Sequence, residues 1–185
     1  MDRIDIAARM LPFGPEGSRV LDACTPLLDP VLVKEATARG WEYVACDIAP
    51  RKVKITKVDL IDRRTLEGLG KFYVVLSTDT LEHIQDWKLA LANIISLTTD
   101  WLILAVPVGV VTEHDNDLNK WYNREASPIT PQSDPAQWKI GHLWNLGPSE
   151  VMSEIERNGL FTVWMLVGYR YIDKFPSFFV GAKRL

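Results

Sequence analysis

The sequence predicts an α/β fold: an open, mostly parallel sheet with helices on both faces, three layers in all, ending in an antiparallel hairpin. Three observations carry this. The runs Phe72–Ser77 and Trp101–Val108 are continuously apolar, as central parallel strands buried on both faces must be. Segments of helical spacing alternate with strand-like runs along the chain. Finally, Phe161–Ile172 and Phe178–Ala182 are strand-like and joined by a short turn around Lys174 to Ser177, a link that suits only an antiparallel pair.

A short helical segment opens the chain, and the breaker cluster Pro12-Phe13-Gly14-Pro15-Glu16-Gly17 ends it. Arg19–Ala23 reads as the first strand. Asp29–Arg39 has helical spacing through Val31, Leu32, Glu35 and Ala36, with Gly40 placed as its stop. Trp41–Ile48 is the second strand, and the alternation in Lys52–Leu60 predicts a third. Arg63–Leu69 is a short helix, and Leu81–Leu97 is the clearest amphipathic one. Asp79-Thr80-Leu81-Glu82 has the spacing of a capping box that would start this helix, with His83 packing on its side. Pro148–Asn158 is the last helix, stopped by Gly159. The polar, proline-containing stretch 109–145 lacks a clear period and is expected to be a lid or substrate insertion within a single domain spanning 1–185.

Composition narrows the function. Hydrophobic residues make up 47% and charged residues 24% of the 185, which is the balance of a globular domain rather than a disordered one. The net charge of −3 gives no reason to expect nucleic acid or an anionic membrane as partner. The longest apolar run, Trp101–Val111, is too short to span a bilayer and contains Pro107. Cys24 and Cys46 form no zinc-type spacing or disulfide framework, so a reducing, cytoplasmic setting is expected. Asp115, Asp117 and Asn119 have the spacing of a calcium loop, near His114. However, Lys120 stands where that loop needs glycine and Ala126 where it needs glutamate, so no metal is expected. A homo-oligomer is possible through the terminal hairpin, but nothing in the sequence supports one.

The chemistry-bearing segments are Val20-Leu21-Asp22, Ala45-Cys46-Asp47, Val58-Asp59-Leu60, Val74–Ser77 followed by Leu81-Glu82-His83-Ile84, and Gly141-His142-Leu143 leading into Pro148-Ser149-Glu150. In order and spacing, over roughly residues 17–185, they resemble class I S-adenosylmethionine-dependent methyltransferases. The resemblance implies a Rossmann-like fold, S-adenosylmethionine as cofactor and a small-molecule or peptide-like acceptor. It implies that Asp47, beside Ile48, accepts hydrogen bonds from the ribose hydroxyls. By the same resemblance Asp59 meets the adenine amino group and the amide of Leu60 serves the ring, with Asp62 an equal competitor for the carboxylate role. Asp22, Ala23 and Cys24 would form the first cofactor loop. Ser77 to Thr80 would lie at the carboxyl edge of the sheet and line the methyl-transfer site, with Asp79 a catalytic candidate. His142 is the candidate base, and a loop histidine without catalytic part is the competing reading.

One departure stands out. The three positions where the family has glycine are Cys24, Pro26 and Leu28. Glycine permits φ > 0 and a close backbone approach, and proline also lacks an N–H. Two functional classes therefore remain: a small-molecule methyltransferase, and a catalytically inactive methyltransferase-like binding or protein-interaction module. A nicotinamide-dependent oxidoreductase would need a Gly-x-Gly-x-x-Gly turn, which is absent. The aromatic residues Trp121, Tyr122, Trp138 and Trp144 crowd the insertion, either as stacking surface or as pins that hold it to the domain.

Overall fold

Seven strands form one sheet in the order β3-β2-β1-β4-β5-β9-β8. The structure is a computed structural model and describes residues 3–107, 122–168 and 177–185. The strands are β1 (Arg19–Ala23), β2 (Glu42–Asp47), β3 (Ile55–Lys57), β4 (Phe72–Thr78), β5 (Thr98–Pro107), β8 (Phe161–Gly168) and β9 (Ser177–Lys183). β1 pairs in parallel with both β2 and β4, β2 with β3, and β4 with β5. Only β9 runs against its neighbours, Leu104 facing Val180 on one side and Met165 facing Val180 on the other. This is the open, mostly parallel sheet with an antiparallel C-terminal pair that the apolar runs predict.

Two apolar layers cover the sheet. On one face α4 (Trp87–Leu97) and α6 (Pro148–Arg157) lay Leu91, Ile94, Val151 and Ile155 against Leu21, Val75, Leu102, Leu104 and Phe178. On the other, α1 (Arg3–Arg9) and α2 (Pro30–Ala38) press Ala7, Ala8, Leu32 and Ala36 onto Val20, Val74, Leu76 and Ile103. Residues alternate between the faces because successive side chains of a strand point to opposite sides. The start of α2 is set by Asp29, whose carboxylate accepts hydrogen bonds from the amides of Val31 and Leu32 at 2.8 and 3.0 Å, with Pro30 in the first turn.

Several elements differ from the sequence expectation. Of Lys52–Leu60, only the three residues of β3 pair with β2 as a strand, the amide of Val58 adding one bond to the carbonyl of Asp47, and Val53 is fully exposed. The helix expected from Leu81 starts at Trp87, capped by Asp86, whose side chain accepts from the amide of Leu89. Asp79 cannot cap a helix, because its φ is 52° and an N-cap needs extended backbone. Leu81–His83 instead forms a single 3₁₀ turn and Ile84 is extended, which turns Glu82 into the protein. β5 begins three residues before the expected Trp101, at Thr98.

Within the expected insertion, residues 122–145 carry a short helix, α5 (Pro135–Lys139), and the two-residue antiparallel pair β6 (Ser127–Pro128) and β7 (Trp144–Asn145). Such brief elements leave no period in a sequence. The calcium-like stretch around Asp115, with His114 and Trp121, and the hairpin turn from Lys174 lie outside the described residues. Tyr122 and Trp144 pack against the larger core, so these two aromatics pin the segment down, whereas Trp138 is exposed. Among the described residues, no helix is long and apolar enough to cross a membrane.

Leu91 is fully buried between α4 and the sheet. Its truncation in Leu91→Ala is expected to cost about 3 kcal/mol, read as a lowered midpoint of chemical unfolding at unchanged slope.

Candidate functional site

The strand order reverses at β1. From there the chain steps outward through β2 and β3, then crosses to β4 on the opposite side. At such a switch point the loops leaving the carboxyl ends diverge and open a crevice. A cavity of about 370 Å³ lies there, lined by Cys24 after β1, Asp47 and Ile48 after β2, Val58 to Ile61 after β3, and Asp79, Thr80 and His83 to Gln85 after β4.

Asp47 ends β2 and is buried. Its Oδ1 accepts the amide of Ala49 at 2.7 Å, which fixes the carboxylate against the cavity wall. Asp59 is held similarly, accepting from the amide of Ile61 at 3.1 Å, while its own amide donates to the Thr65 hydroxyl at 3.0 Å. The carbonyl of neighbouring Leu60 accepts from buried Asn93 at 2.7 Å, tying this loop to α4. Asp62 has a different job: it caps α3 (Arg63–Leu66) and pairs with Arg64 at 2.8 Å, away from the cavity.

Cys24 settles part of the question raised by the missing glycines. Its φ is 63°, so the first position keeps the left-handed backbone that glycine would supply, although it carries a side chain. The strain costs about 1–2 kcal/mol. The amide of Thr25 then donates to the carbonyl of Cys46 at 3.0 Å, extending the β1–β2 pairing beyond the strand end. Pro26 and Leu28 do not adopt positive φ. Burial raises the Cys24 thiol far above its ordinary range and pushes Cys46 up to about 11, so neither is a thiolate at neutral pH.

Asp22, Ala23 and Ser77, expected at the cofactor, lie within the sheet behind the cavity rather than on its wall. Asp22 accepts a hydrogen bond from the Tyr43 hydroxyl at 2.6 Å. Burial pushes its carboxyl from 3.8 up to about 7, outweighing the lowering effect of that bond.

On the β4 side, a second segment meets the 3₁₀ turn. The amide of Leu143 donates to the carbonyl of Glu82 at 2.7 Å, and the Trp144 indole to the carbonyl of Gln85 at 3.2 Å. This docking brings His142, itself buried, against His83, with ring centroids 4.5 Å apart at 84°. The Glu82 carboxylate is fully buried beneath both rings, its Oε1 3.8 Å from each Nε2. Nδ1 of His83 lies 2.9 Å from the carbonyl of Gly141, so it carries the proton and donates. His83, not His142, reaches the cavity. The capping role expected for Glu82 and the helix-packing role expected for His83 are thus both corrected.

A family model described as "Methyltransferase domain" matches residues 3–139 of the sequence. The chain belongs to this methyltransferase-domain family. No curated protein matches the sequence. Solved structures share the fold at low identity. Magnesium protoporphyrin IX methyltransferase from Synechocystis PCC 6803, with bound S-adenosylmethionine, aligns at 16% identity and TM-score 0.59, over 92% of this chain and 71% of that one. A 1,6-didemethyltoxoflavin-N1-methyltransferase from Burkholderia thailandensis, with 1,6-didemethyltoxoflavin and S-adenosylhomocysteine bound, aligns at 13% and 0.63, over 91% and 72%. The N-methyltransferase NodS from Bradyrhizobium japonicum WM9, with S-adenosylhomocysteine, aligns at 12% and 0.57, over 91% and 79%.

For this methyltransferase-domain protein, sequence reasoning finds the cavity residues Cys24, Asp47, Ile48, Asp59, Leu60, Asp79 and Thr80, and misses Val58, Ile61, His83, Ile84 and Gln85. A false helix start hides His83, Ile84 and Gln85, while Val58 and Ile61 are apolar residues flanking the carboxylate loop of Asp59 and Leu60.

Substitutions at two positions test the site's backbone and charge. Cys24→Gly is expected to be more stable than Cys24→Ala by about 1 kcal/mol, read as a higher unfolding temperature, since only glycine escapes the cost of positive φ. Asp22 holds its proton more tightly when folded, so its ionisation removes stability as pH rises from 3.8 to about 7. Asp22→Asn keeps an acceptor for Tyr43 and has no such loss. Its stability relative to the parent is expected to rise by on the order of 4 kcal/mol over that interval and level off above it, measured by denaturant unfolding across pH.

Proposed function

We propose that this chain is an S-adenosylmethionine-dependent methyltransferase acting on a small-molecule or peptide-like acceptor in the cytoplasm. The observation that carries this reading is one cavity at the switch point, walled by two oriented carboxylates and by a Cys24 that keeps the backbone conformation of a family glycine. Asp47 accepts hydrogen bonds from the ribose hydroxyls, with Ile48 against the sugar. Asp59 takes the adenine amino group, and Leu60 presents its amide to the ring. Asp22, Ala23 and Ser77 support the loops from behind.

The cofactor's methyl group is already activated as a sulfonium. The acceptor's lone pair attacks the methyl carbon in line with the departing sulfur, which keeps the C–S electron pair. The protein's task is to align the two and exclude water. Asp79 on the cavity wall and the cluster of Glu82, His83 and His142 lie on the acceptor side, where the acceptor's proton must leave. The described part of the expected insertion, residues 122–145, is fastened to the turn at 81–85 on this side. The net charge of −3 favours a small acceptor over nucleic acid.

Calorimetric titration with S-adenosylmethionine and S-adenosylhomocysteine tests the reading. Micromolar binding is expected, weakened at least about tenfold in Asp47→Ala, which loses charge-assisted bonds, and unchanged in Asp62→Ala. Absence of binding by folded protein would leave a methyltransferase-like interaction module instead.

A further inference from the structure

The cluster formed by Glu82, His83 and His142 has features that proton transfer alone does not require. Its ligand-type atoms, one carboxylate oxygen and two imidazole nitrogens, all lie within 4.8 Å of one another. At 3.8 Å, the approach of Glu82 Oε1 to each Nε2 is too long for a hydrogen bond. A metal with bonds of about 2.1 Å sets its ligands about 3.4 Å apart, so an inward shift of a few tenths of an ångström would bring the carboxylate and each ring into that range. The perpendicular rings present their nitrogens from different directions, as a coordination sphere needs.

The surroundings are arranged like the outer shell of a metal site. The Gly141 carbonyl holds the Nδ1 proton of His83, which leaves Nε2 as the lone-pair donor. The main-chain bond from Leu143 to Glu82 fixes His142 relative to the turn, and the amide of His142 itself donates to the carbonyl of Gln137 at 3.1 Å. His83 is partly exposed and lines the cavity, so the cluster borders that space through one of its three ligands.

We propose that Glu82, His83 and His142 bind one first-row divalent cation of the zinc, iron(II) or cobalt(II) type, whose open position takes a hydroxyl oxygen of the acceptor. Two imidazoles and one carboxylate are the donor set that such borderline ions prefer, rather than magnesium or calcium. The acceptor role rests on the methyltransferase reading, whereas cation binding does not. Bound to the cation, the hydroxyl loses its proton to solvent, its oxygen forms the bond to the methyl carbon, and the sulfonium C–S bond breaks with both electrons on sulfur.

The test is a titration of chelator-stripped protein with Co²⁺, followed by visible d–d absorption and by thermal unfolding. One equivalent is expected to bind, with a rise in Tm, and Zn²⁺ is expected to displace it. Glu82→Gln and His142→Ala should each weaken binding at least about tenfold, and His83→Ala, at the exposed ligand, should do the same with the least disturbance to folding. His114→Ala should bind as the parent does. Acetohydroxamate, an oxygen-donor probe, should shift the cobalt spectrum by entering the open position. Absence of a cobalt spectrum in folded parent protein overturns the site, as does parent-like affinity in all three ligand variants. An unshifted spectrum with acetohydroxamate overturns the open position. S-adenosylmethionine binding by the stripped protein is measured in parallel. Co²⁺ binding without cofactor binding would remove the methyltransferase reading and leave the cation site. Cofactor binding without Co²⁺ would do the reverse.

Discussion

Everything in the site depends on the parallel pairing of β1 with two partners at once. Because β2 and β4 both run alongside β1, the carboxyl ends of the central strands finish at one edge of the sheet. The loops that follow must then diverge to opposite faces, and the crevice between them needs no special residue to exist. The apolar runs that make these strands insoluble alone are what drive the pairing: Leu21, Val75 and Leu102 on one face and Val20, Val74 and Ile103 on the other are removed from water together.

Backbone strain is concentrated at this edge. Cys24 and Asp79 are the non-glycine residues with positive φ among those described, and both face the same cavity. Each lies directly beyond a central strand, where the chain must leave the sheet sharply. The surrounding sheet holds them there: the amide of Asp79 donates to the carbonyl of Ala105 at 3.0 Å, and the bond from Thr25 to Cys46 does the same for the first loop. Strain held in place at a ligand-sized crevice fits a functional site better than a purely structural turn.

The left-handed Asp79 also explains the local chemistry on the β4 side. A helix starting at Leu81 would have sent Glu82 toward solvent or back to its own cap. With that start blocked, the chain makes one 3₁₀ turn, and Glu82 is drawn inward under two imidazoles. The segment ending in β7 then closes over it through the main-chain bond from Leu143 to Glu82 and the Trp144 indole bond to Gln85. One conformational exception thereby converts an ordinary capping pattern into a buried His–Glu–His cluster beside the cavity.

The sequence by itself determined the sheet, the order of its helices and most of the cavity wall. Apolar periodicity and strand-end acidic residues such as Asp47 and Asp59 are local properties, carried by a few neighbouring residues. It also determined the methyltransferase resemblance, because that rests on ordered short segments. Only the tertiary structure shows that Asp59 lines the crevice while Asp62 caps a helix, since both suit a turn. The same holds for Cys24, whose backbone angle follows from the pairing beyond β1 and not from its side chain. His142 and His83 are far apart in the chain, and no period links them. Their meeting depends on the docking of one irregular segment on another, held by the main-chain bond from Leu143 to Glu82 and by the Trp144 indole on Gln85, contacts that only a fold can direct.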